Sequence, residues 1–150
     1  MYQVRSKDYS KRDLRKRWAL PDRVFFACGA CHILAYAFLE RYGRPDMRAL
    51  WFKPAAGYTG NHIVVTTERW VFDYHGFSNR ESYFAHVFKR ARQKWPGWSA
   101  TLVELPREAL VSEQKSRDYD GLWLREPTQF PENALPRARA FLNRFPAPQD

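Results

Sequence analysis

Long apolar runs are missing from this chain of 150 residues, and it has only two cysteines. No apolar stretch approaches the roughly 18 residues that a membrane-spanning helix needs. The N-terminal residues are polar and charged, and they lack the apolar segment of about 7–15 residues that is typical of a secretory signal. In a reducing compartment, two cysteines are more often thiols or metal ligands than a structural disulfide. We therefore predict a cytoplasmic protein with no membrane contact.

Motifs for nucleic-acid recognition are also missing, although the net charge is +9. The sequence has no zinc-finger spacing, no RNA-recognition signature and no phosphate-binding loop. The excess charge is concentrated at one end, since residues 1–23 carry eight Lys or Arg and three Asp, or +5. We predict a basic N-terminal arm, residues 1–22, that is either a solvated tail or a surface for an acidic protein partner or a nucleic acid. Residues 23–150 are too short for two ordinary domains and form one.

The spacing of apolar residues predicts an α+β domain with a small, mostly antiparallel sheet. Helices are expected at about 30–42, from a capping-box pattern at 78–81 to Pro96-Gly97, and at about 136–144. Strands are expected at 49–52, 61–66, 70–74 and 98–105. Residues 24–27 form a short apolar lead-in to the first helix, and residues 106–131 are expected to be irregular and to lie on the surface.

The pentapeptide Cys28-Gly29-Ala30-Cys31-His32 contains both cysteines and leads directly into the first predicted helix. A thiol at the start of a helix lies near free backbone N–H groups and the positive end of the helix dipole, and both favour the thiolate. This string fits four chemistries: a nucleophilic cysteine, a redox dithiol, half of a zinc site or a covalent haem attachment. Only the rest of the chain distinguishes among them.

The last three chemistries each need partners elsewhere in the sequence. Haem attached through Cys-x-x-Cys-His needs a distal ligand, for which the chain offers Met47 or a further histidine. A thioredoxin-like dithiol needs a βαβ setting, and the proline-bearing strand that usually faces it is not evident. A zinc site made of Cys28, Cys31, His62 and His75 has ligands of the right types, although two cysteines at the entry to an apolar helix make a poor zinc knuckle.

A nucleophilic cysteine needs a nearby base and a group that orients the base. His62 and Asp73 lie at the two ends of a predicted hairpin. If its turn is Thr67-Glu68, His62 faces Asp73 directly. If the turn is Glu68-Arg69, Asp73 faces Val64 and remains a diagonal neighbour of His62 on the same side of the sheet. Both registers therefore bring the imidazole and the carboxylate together.

Each residue of this group also has a simpler interpretation. Cys31 could be a small buried apolar side chain, and Asp73 could be a turn residue because a Gly-terminated turn follows it. Two other histidines compete with His62 for the role of base. We expect His32, which is adjacent to Cys31, to point away from it, and we place His75 in the turn. His86 is expected on the face of the second helix.

The segment 28–35 resembles the segment around the active cysteine of papain-like peptidases, in which the second cysteine opens the central helix. Residues 61–65 and 70–73 resemble the two strands that carry histidine and Asp or Asn in the papain and transglutaminase group. The resemblance covers about residues 26–76. It implies a papain/transglutaminase-like core in which Cys31 is the nucleophile, His62 the base and Asp73 its orienting partner.

Two features depart from the papain-like pattern. Phe25 occupies the position where papain-like peptidases have the glutamine of the oxyanion hole, and only 31 residues separate Cys31 from His62, which is closer to compact transglutaminase-like domains. We predict a cysteine-dependent acyl-transfer enzyme without a cofactor that acts on a protein or peptide-like amide, or on a thioester. Substrate contacts are expected from Trp51, Tyr58 and Trp70. A non-enzymatic basic binding module and a zinc-stabilised domain remain alternatives.

Overall fold

A five-stranded antiparallel sheet with helices on both faces forms the protein in the computed structural model, which describes residue 10 and residues 12–149. The strand order is β4-β3-β2-β1-β5. The strands are β1 Arg48–Pro54, β2 His62–Thr66, β3 Trp70–Asp73, β4 Gly76–Asn79 and β5 Ala100–Leu105. The α-helices are α1 Leu14–Trp18, α2 Asp22–Ala27, α3 Cys31–Tyr42, α4 Arg80–Lys94, α5 Glu113–Ser116 and α6 Ala134–Leu142, and two 3-10 helices span Arg107–Val111 and Pro127–Gln129. The predicted α+β class and the small antiparallel sheet are confirmed.

The sheet separates two apolar cores. Every residue of β2 is buried because helices cover both of its faces. Ile63 and Val65 pack in the larger core with α3, whereas Val64 packs with Val87 of α4 in the smaller one. This alternation follows from the period of two along a strand. It places the odd-numbered residues of β2 on the α3 side and the even-numbered residues on the α4 side.

Helix α3 is the central helix of the larger core, and seven of its twelve residues are buried. Gly29 and Ala30, the two residues before it, fix where this helix starts. Gly29 has a φ of +107°, a conformation that L side chains rarely adopt, and the Arg17 guanidinium occupies the space that a β-carbon would need. The chain turns there, Ala30 is the N-cap, and Cys31 becomes the first helical residue. The predicted position of Cys31 at the start of a helix is confirmed.

The β3–β4 hairpin corrects one expectation. The pattern at 78–81 was expected to begin a helix at Ser78, but residues 76–79 form an edge strand in which Gly76 pairs with Asp73. The helix begins two residues later, and the Asn79 side chain caps it by accepting a hydrogen bond of 3.0 Å from the Ser82 N–H. Asn caps a helix as well as Ser does, and the strand pairing decides between them.

Three further expectations are corrected by tertiary packing. Residues 24–27 belong to helix α2, so the strand that a thioredoxin-like dithiol would need is absent at that place. The last helix begins at Ala134, because Asn133 caps it and Pro136 fits the first turn. Residues 106–131 were expected to be irregular and on the surface, but they contain short helical segments and their apolar side chains close the larger core.

The predicted basic arm is described from residue 12 onwards and at residue 10, and its remaining residues, 1–9 and 11, lie outside the described residues. Asp13 caps the short helix α1. Trp18 packs edge-on against Phe25, and Arg137 donates hydrogen bonds of 2.7 Å and 2.6 Å to the carbonyls of Trp18 and Leu20. The end of the arm is therefore attached to the domain. Among the helices of the described part of the chain, none combines the length and apolar character required to cross a membrane.

Candidate active site

The β2–β3 register decides how His62 lies relative to Asp73. Val65 pairs with Phe72 and Thr66 with Val71, so the turn is Glu68-Arg69 and Asp73 falls opposite Val64. Of the two registers considered, the one with a Thr67-Glu68 turn is wrong and the one with a Glu68-Arg69 turn is confirmed. The Thr67 side chain explains the choice, because its hydroxyl accepts the backbone N–H groups of Arg69 and Trp70 and thereby closes the turn.

His62 and Asp73 are diagonal neighbours on the α4 side of the sheet, as that register requires. His62 Nε2 lies 3.2 Å from Asp73 Oδ2, and only 4% and 5% of the two residues is exposed. The ladder between β2 and β3 ends at Val65 and Phe72, before either residue. The start of α3 approaches this unpaired end of the two strands from the opposite face of the sheet. Cys31, at the start of α3, therefore lies near His62 and Asp73, although strand alternation puts these two residues on the α4 side of the sheet.

Two further hydrogen bonds fix the Asp73 carboxylate. Oδ2 accepts the Tyr83 hydroxyl at 2.6 Å, and Oδ1 accepts the His75 backbone N–H at 2.8 Å. The second bond is that of an Asx turn, so the turn role considered for Asp73 coexists with its bond to His62. Burial raises the pKa of Asp73, but hydrogen bonds from His62, Tyr83 and the His75 backbone outweigh burial and hold the pKa below its ordinary value.

His62 is close enough to the Cys31 thiol to act on its pKa through hydrogen bonding and charge. Because Nε2 of His62 is bonded to Asp73, Nδ1 is the ring atom left for the sulfur. Burial raises the pKa of Cys31, but hydrogen bonds and charge from His32 and His62 lower it from 9.0 to about 5. Burial lowers the pKa of His62, whereas its bonds to Asp73 and Cys31 raise it to about 9. Both shifts favour the charged pair, in which the thiol has lost its proton and the imidazole carries one.

His32 is a second imidazole on the same thiol, which the sequence analysis missed. It was expected to point away from Cys31. Instead it is 3% exposed, its Nε2 lies 2.7 Å from the Arg125 carbonyl, and the ring helps to lower the pKa of Cys31. The expectation failed because Arg125, 93 residues further along the chain, fixes the ring. No local pattern contains that contact.

Two spaces adjoin the cluster. A small apolar pocket behind the thiol is lined by Cys31, Asp73 and side chains of α2, α3 and the sheet. An open groove of about 1190 Å³ begins at His62 and Asp73 and continues along α4, where Ser82, His86 and Arg90 line it. The groove gives solvent and ligands a route to the buried base, and His86 is exposed there as a helix-face residue, as predicted.

The three aromatic residues predicted to contact substrate lie outside these two spaces. Trp51 is 2% exposed and its indole N–H donates to Asn61 Oδ1 at 2.8 Å. The Tyr58 hydroxyl donates to the Pro96 carbonyl at 2.9 Å, and Trp70 packs against Phe77 at the opposite end of β3 from Asp73. In this structure all three stabilise the fold, and their role in substrate binding stays a prediction.

The geometry gives little support to the alternative uses of the two cysteines. Over residues 10 and 12–149, no group of three or more His, Cys, Asp or Glu side chains is arranged to hold a metal ion, so Cys28, Cys31, His62 and His75 do not form the tetrad of the zinc alternative. Cys28 and Cys31 are not joined by a disulfide bond. His75 sits in the β3–β4 turn as expected, where its Nδ1 is bonded to the Arg23 guanidinium.

Comparisons with protein-family models, with curated proteins and with solved structures found no match to this chain. The papain/transglutaminase-like character of the core therefore stays a prediction from residues 26–76. The description that the fold itself supports is an α+β protein in which a half-buried cysteine at the start of the central helix lies near a buried His–Asp pair.

Proposed function

We propose that the protein is a cysteine-dependent acyl-transfer enzyme that acts on an amide or a thioester. One arrangement carries the proposal: the His62 ring lies 3.2 Å from the Asp73 carboxylate, and the same ring acts on the Cys31 thiol and helps to lower its pKa from 9.0 to about 5. A free structural cysteine needs none of these partners. Depressed thiol pKa values together with a charged partner in a buried site are typical of catalytic cysteines.

In the proposed reaction, the Cys31 thiolate attacks the carbonyl carbon and the carbonyl π electrons move onto oxygen. The C–N or C–S bond of the tetrahedral intermediate then breaks, and the imidazolium of His62 gives its Nδ1 proton to the leaving amine or thiolate. Neutral His62 next takes a proton from water or an incoming amine, which attacks the thioester and releases Cys31. Asp73 keeps the ring oriented and stabilises its charge throughout.

The developing oxyanion needs hydrogen-bond donors near Cys31. The backbone N–H of Cys31 belongs to the first turn of α3, in which the N–H groups of Ile33 and Leu34 bond to the Ala30 carbonyl, and the N-cap Ala30 offers no side-chain acceptor. Phe25, at the position of the papain-like glutamine, is fully buried and apolar and donates nothing. The first donor in the proposal is therefore the Cys31 N–H together with the helix dipole.

The proposal is tested by thiol labelling of the purified protein with iodoacetamide, with each cysteine followed by mass spectrometry. We expect Cys31 to react much faster than Cys28 at pH 6, because the pKa of Cys31 is lowered from 9.0 to about 5. Cys28→Ala should leave that rate unchanged, and Cys31→Ser should abolish the fast phase. An activated ester should also give a covalent acyl adduct on Cys31 and a burst of product. Slow labelling of both thiols at equal rates would refute the proposal.

A further inference from the structure

Two arginine side chains close to the candidate nucleophile have buried donors without partners. In the part of the chain that the structure describes, the only buried side-chain nitrogen or oxygen atoms without a hydrogen bond are Nε of Arg17 and Nε of Arg125. Buried polar atoms are almost always paired, because an unpaired donor keeps its full desolvation cost. Two such donors in one region indicate a ligand that supplies the missing acceptors.

Both arginines adjoin the start of α3. The Arg17 guanidinium lies against Gly29, with Cζ 2.7 Å from the position a β-carbon would occupy there. The Arg125 carbonyl accepts the bond from His32 Nε2, and the His32 ring in turn helps to lower the pKa of the Cys31 thiol. Gly29 is two residues before Cys31, which is at most about 7 Å of extended chain. The Arg17 side chain therefore lies near the start of α3, and the Arg125 backbone meets the same turn of the helix at His32.

The charge around the two guanidinium groups is not balanced by the protein. Burial lowers the pKa of Arg125, and the positive charge of Arg17 lowers it further, so the two groups are close enough to repel each other. The carboxylate that acts on Arg125 is that of Glu113, which already accepts bonds of 2.7 Å from Arg117 and 2.8 Å from Gln129. An added anion would relieve the repulsion and pair both donors.

Aromatic rings hold Arg125 in this place. Its guanidinium carbon lies 5.3 Å from the centroid of the Trp123 ring and 5.9 Å from that of Phe130. Trp123 is 52% exposed, so the site opens to solvent beside this ring. A stacked arginine loses little further side-chain entropy when it binds a planar carboxylate.

We propose that Arg17 and Arg125 form a carboxylate-binding site that selects acidic acyl groups, such as acidic peptides, for transfer by Cys31. This inference rests on the proposed function, since it names the substrate class of the same thiol. The site is separate from the group of Cys31, His62 and Asp73. Its loss should change which substrate reacts and leave the reactivity of the thiol intact.

The test compares two maleimides that differ in charge, 3-maleimidopropionic acid and N-ethylmaleimide, by their rates of addition to Cys31 in a Cys28→Ala background. We expect the ratio of acidic to neutral rate to fall about fivefold in Arg17→Gln and again in Arg125→Gln, the effect of losing one partly screened ion pair. Rates with N-ethylmaleimide should stay unchanged. The ratio in wild type should also fall with added salt.

Arg139→Gln is the matched control, because it removes the same charge at the opposite end of α3, where Arg139 pairs with Glu40. Nine residues of helix, or about 13 Å, separate Glu40 from Cys31, so its ratio should equal that of wild type. Equal ratios in all variants, with Cys31 still reacting fast, would overturn the carboxylate site while the proposed function stands. Slow labelling of Cys31 in wild type would instead refute the proposed function.

A second measurement tests the arginine pair without the thiol. Inorganic phosphate, titrated into Cys31→Ser at constant ionic strength, should raise the melting temperature saturably, since a ligand that binds only the folded state stabilises it. The same titration of Arg125→Gln and Arg17→Gln should give no rise. If phosphate has no effect on Cys31→Ser, or raises the melting temperature of the arginine variants equally, no anion site exists there.

Discussion

The two imidazoles on the Cys31 thiol make a quantitative prediction about its ionisation. His32 and His62 both act on the sulfur, and together they lower its pKa from 9.0 to about 5 against the opposing effect of burial. Replacement of either ring by Gln removes an imidazole that acts on the sulfur. Since the two histidines share the effect and together also offset burial, we expect each single variant to have a thiol pKa at least about two units higher, and the double variant to have a pKa above 9.0, at about 1.4 kcal/mol per unit.

The change is large enough to measure at a single pH. At pH 6, a thiol with a pKa of about 5 is about 90% thiolate, whereas a thiol with a pKa of about 7 is only about 10% thiolate. Alkylation of Cys31 at pH 6 should therefore be at least about tenfold slower in His62→Gln and in His32→Gln. Full profiles from pH 4 to pH 10 should show the midpoint moving upward in each variant, because loss of either imidazole disfavours the thiolate.

The assay is iodoacetamide labelling in a Cys28→Ala background, supported by thiolate absorbance near 240 nm. His32→Gln is the decisive variant, because an amide N–H still reaches the Arg125 carbonyl and the fold at that point is kept. His86→Gln, an exposed residue of α4, is the control and should leave the profile unchanged. A midpoint that stays near 5 in His32→Gln would refute the role assigned to the second imidazole.

The remaining predictions concern groups that hold the site in place. Tyr83→Phe removes the 2.6 Å hydrogen bond to the charged Asp73 carboxylate. We expect the free energy of unfolding to fall by about 1.5–3 kcal/mol and the pH midpoint of Cys31 alkylation to rise. Urea denaturation measures the first effect and thiol labelling the second, and unchanged values would contradict the role of Tyr83. Gly29→Ala should destabilise more than Gly57→Ala, because both glycines have positive φ but only Gly29 is covered by Arg17. Thermal unfolding of the two variants compares them, and equal losses would mean that the Arg17 contact is unimportant. Asp73→Asn should lower the pKa of His62 from about 9, since a neutral amide no longer stabilises the imidazolium. NMR titration of His62 measures this pKa, and an unchanged value would contradict the prediction.

The region from Cys31 to Asp73 was the most predictable part of the chain, for a local reason. A start-of-helix pattern, a β-branched strand and a hairpin are all set by neighbours in sequence, so Cys31, His62 and Asp73 could be assigned to elements before any fold was known. The predicted proximity of His62 and Asp73 did not depend on the position of the turn, because either register leaves the two residues on the same face. Thr67 selected between the registers with its side-chain hydroxyl.

Predictions failed where a contact joins distant parts of the chain. Ser78 was expected to start a helix, but pairing of Gly76 with Asp73 kept residues 76–79 in the sheet. Residues 106–131 have few long apolar runs, and their burial against α3 became visible only in three dimensions. The aromatics chosen as substrate contacts were chosen by residue type alone, and Trp51 is buried in the core instead.

The sequence by itself therefore determined the class of the domain, the place of Cys31 at a helix start and the hairpin that pairs a histidine with a carboxylate. Each of these follows from periodicity and turn chemistry within about a dozen residues. Only the tertiary structure decided the chemical environment of the thiol: that His32 turns toward it, that Tyr83 anchors Asp73, and that Arg17 and Arg125 lie beside it. Hydrogen bonds and charges act through space, so the residues that tune Cys31 are set by the packing of α1, α4 and the chain before α6 around the start of α3.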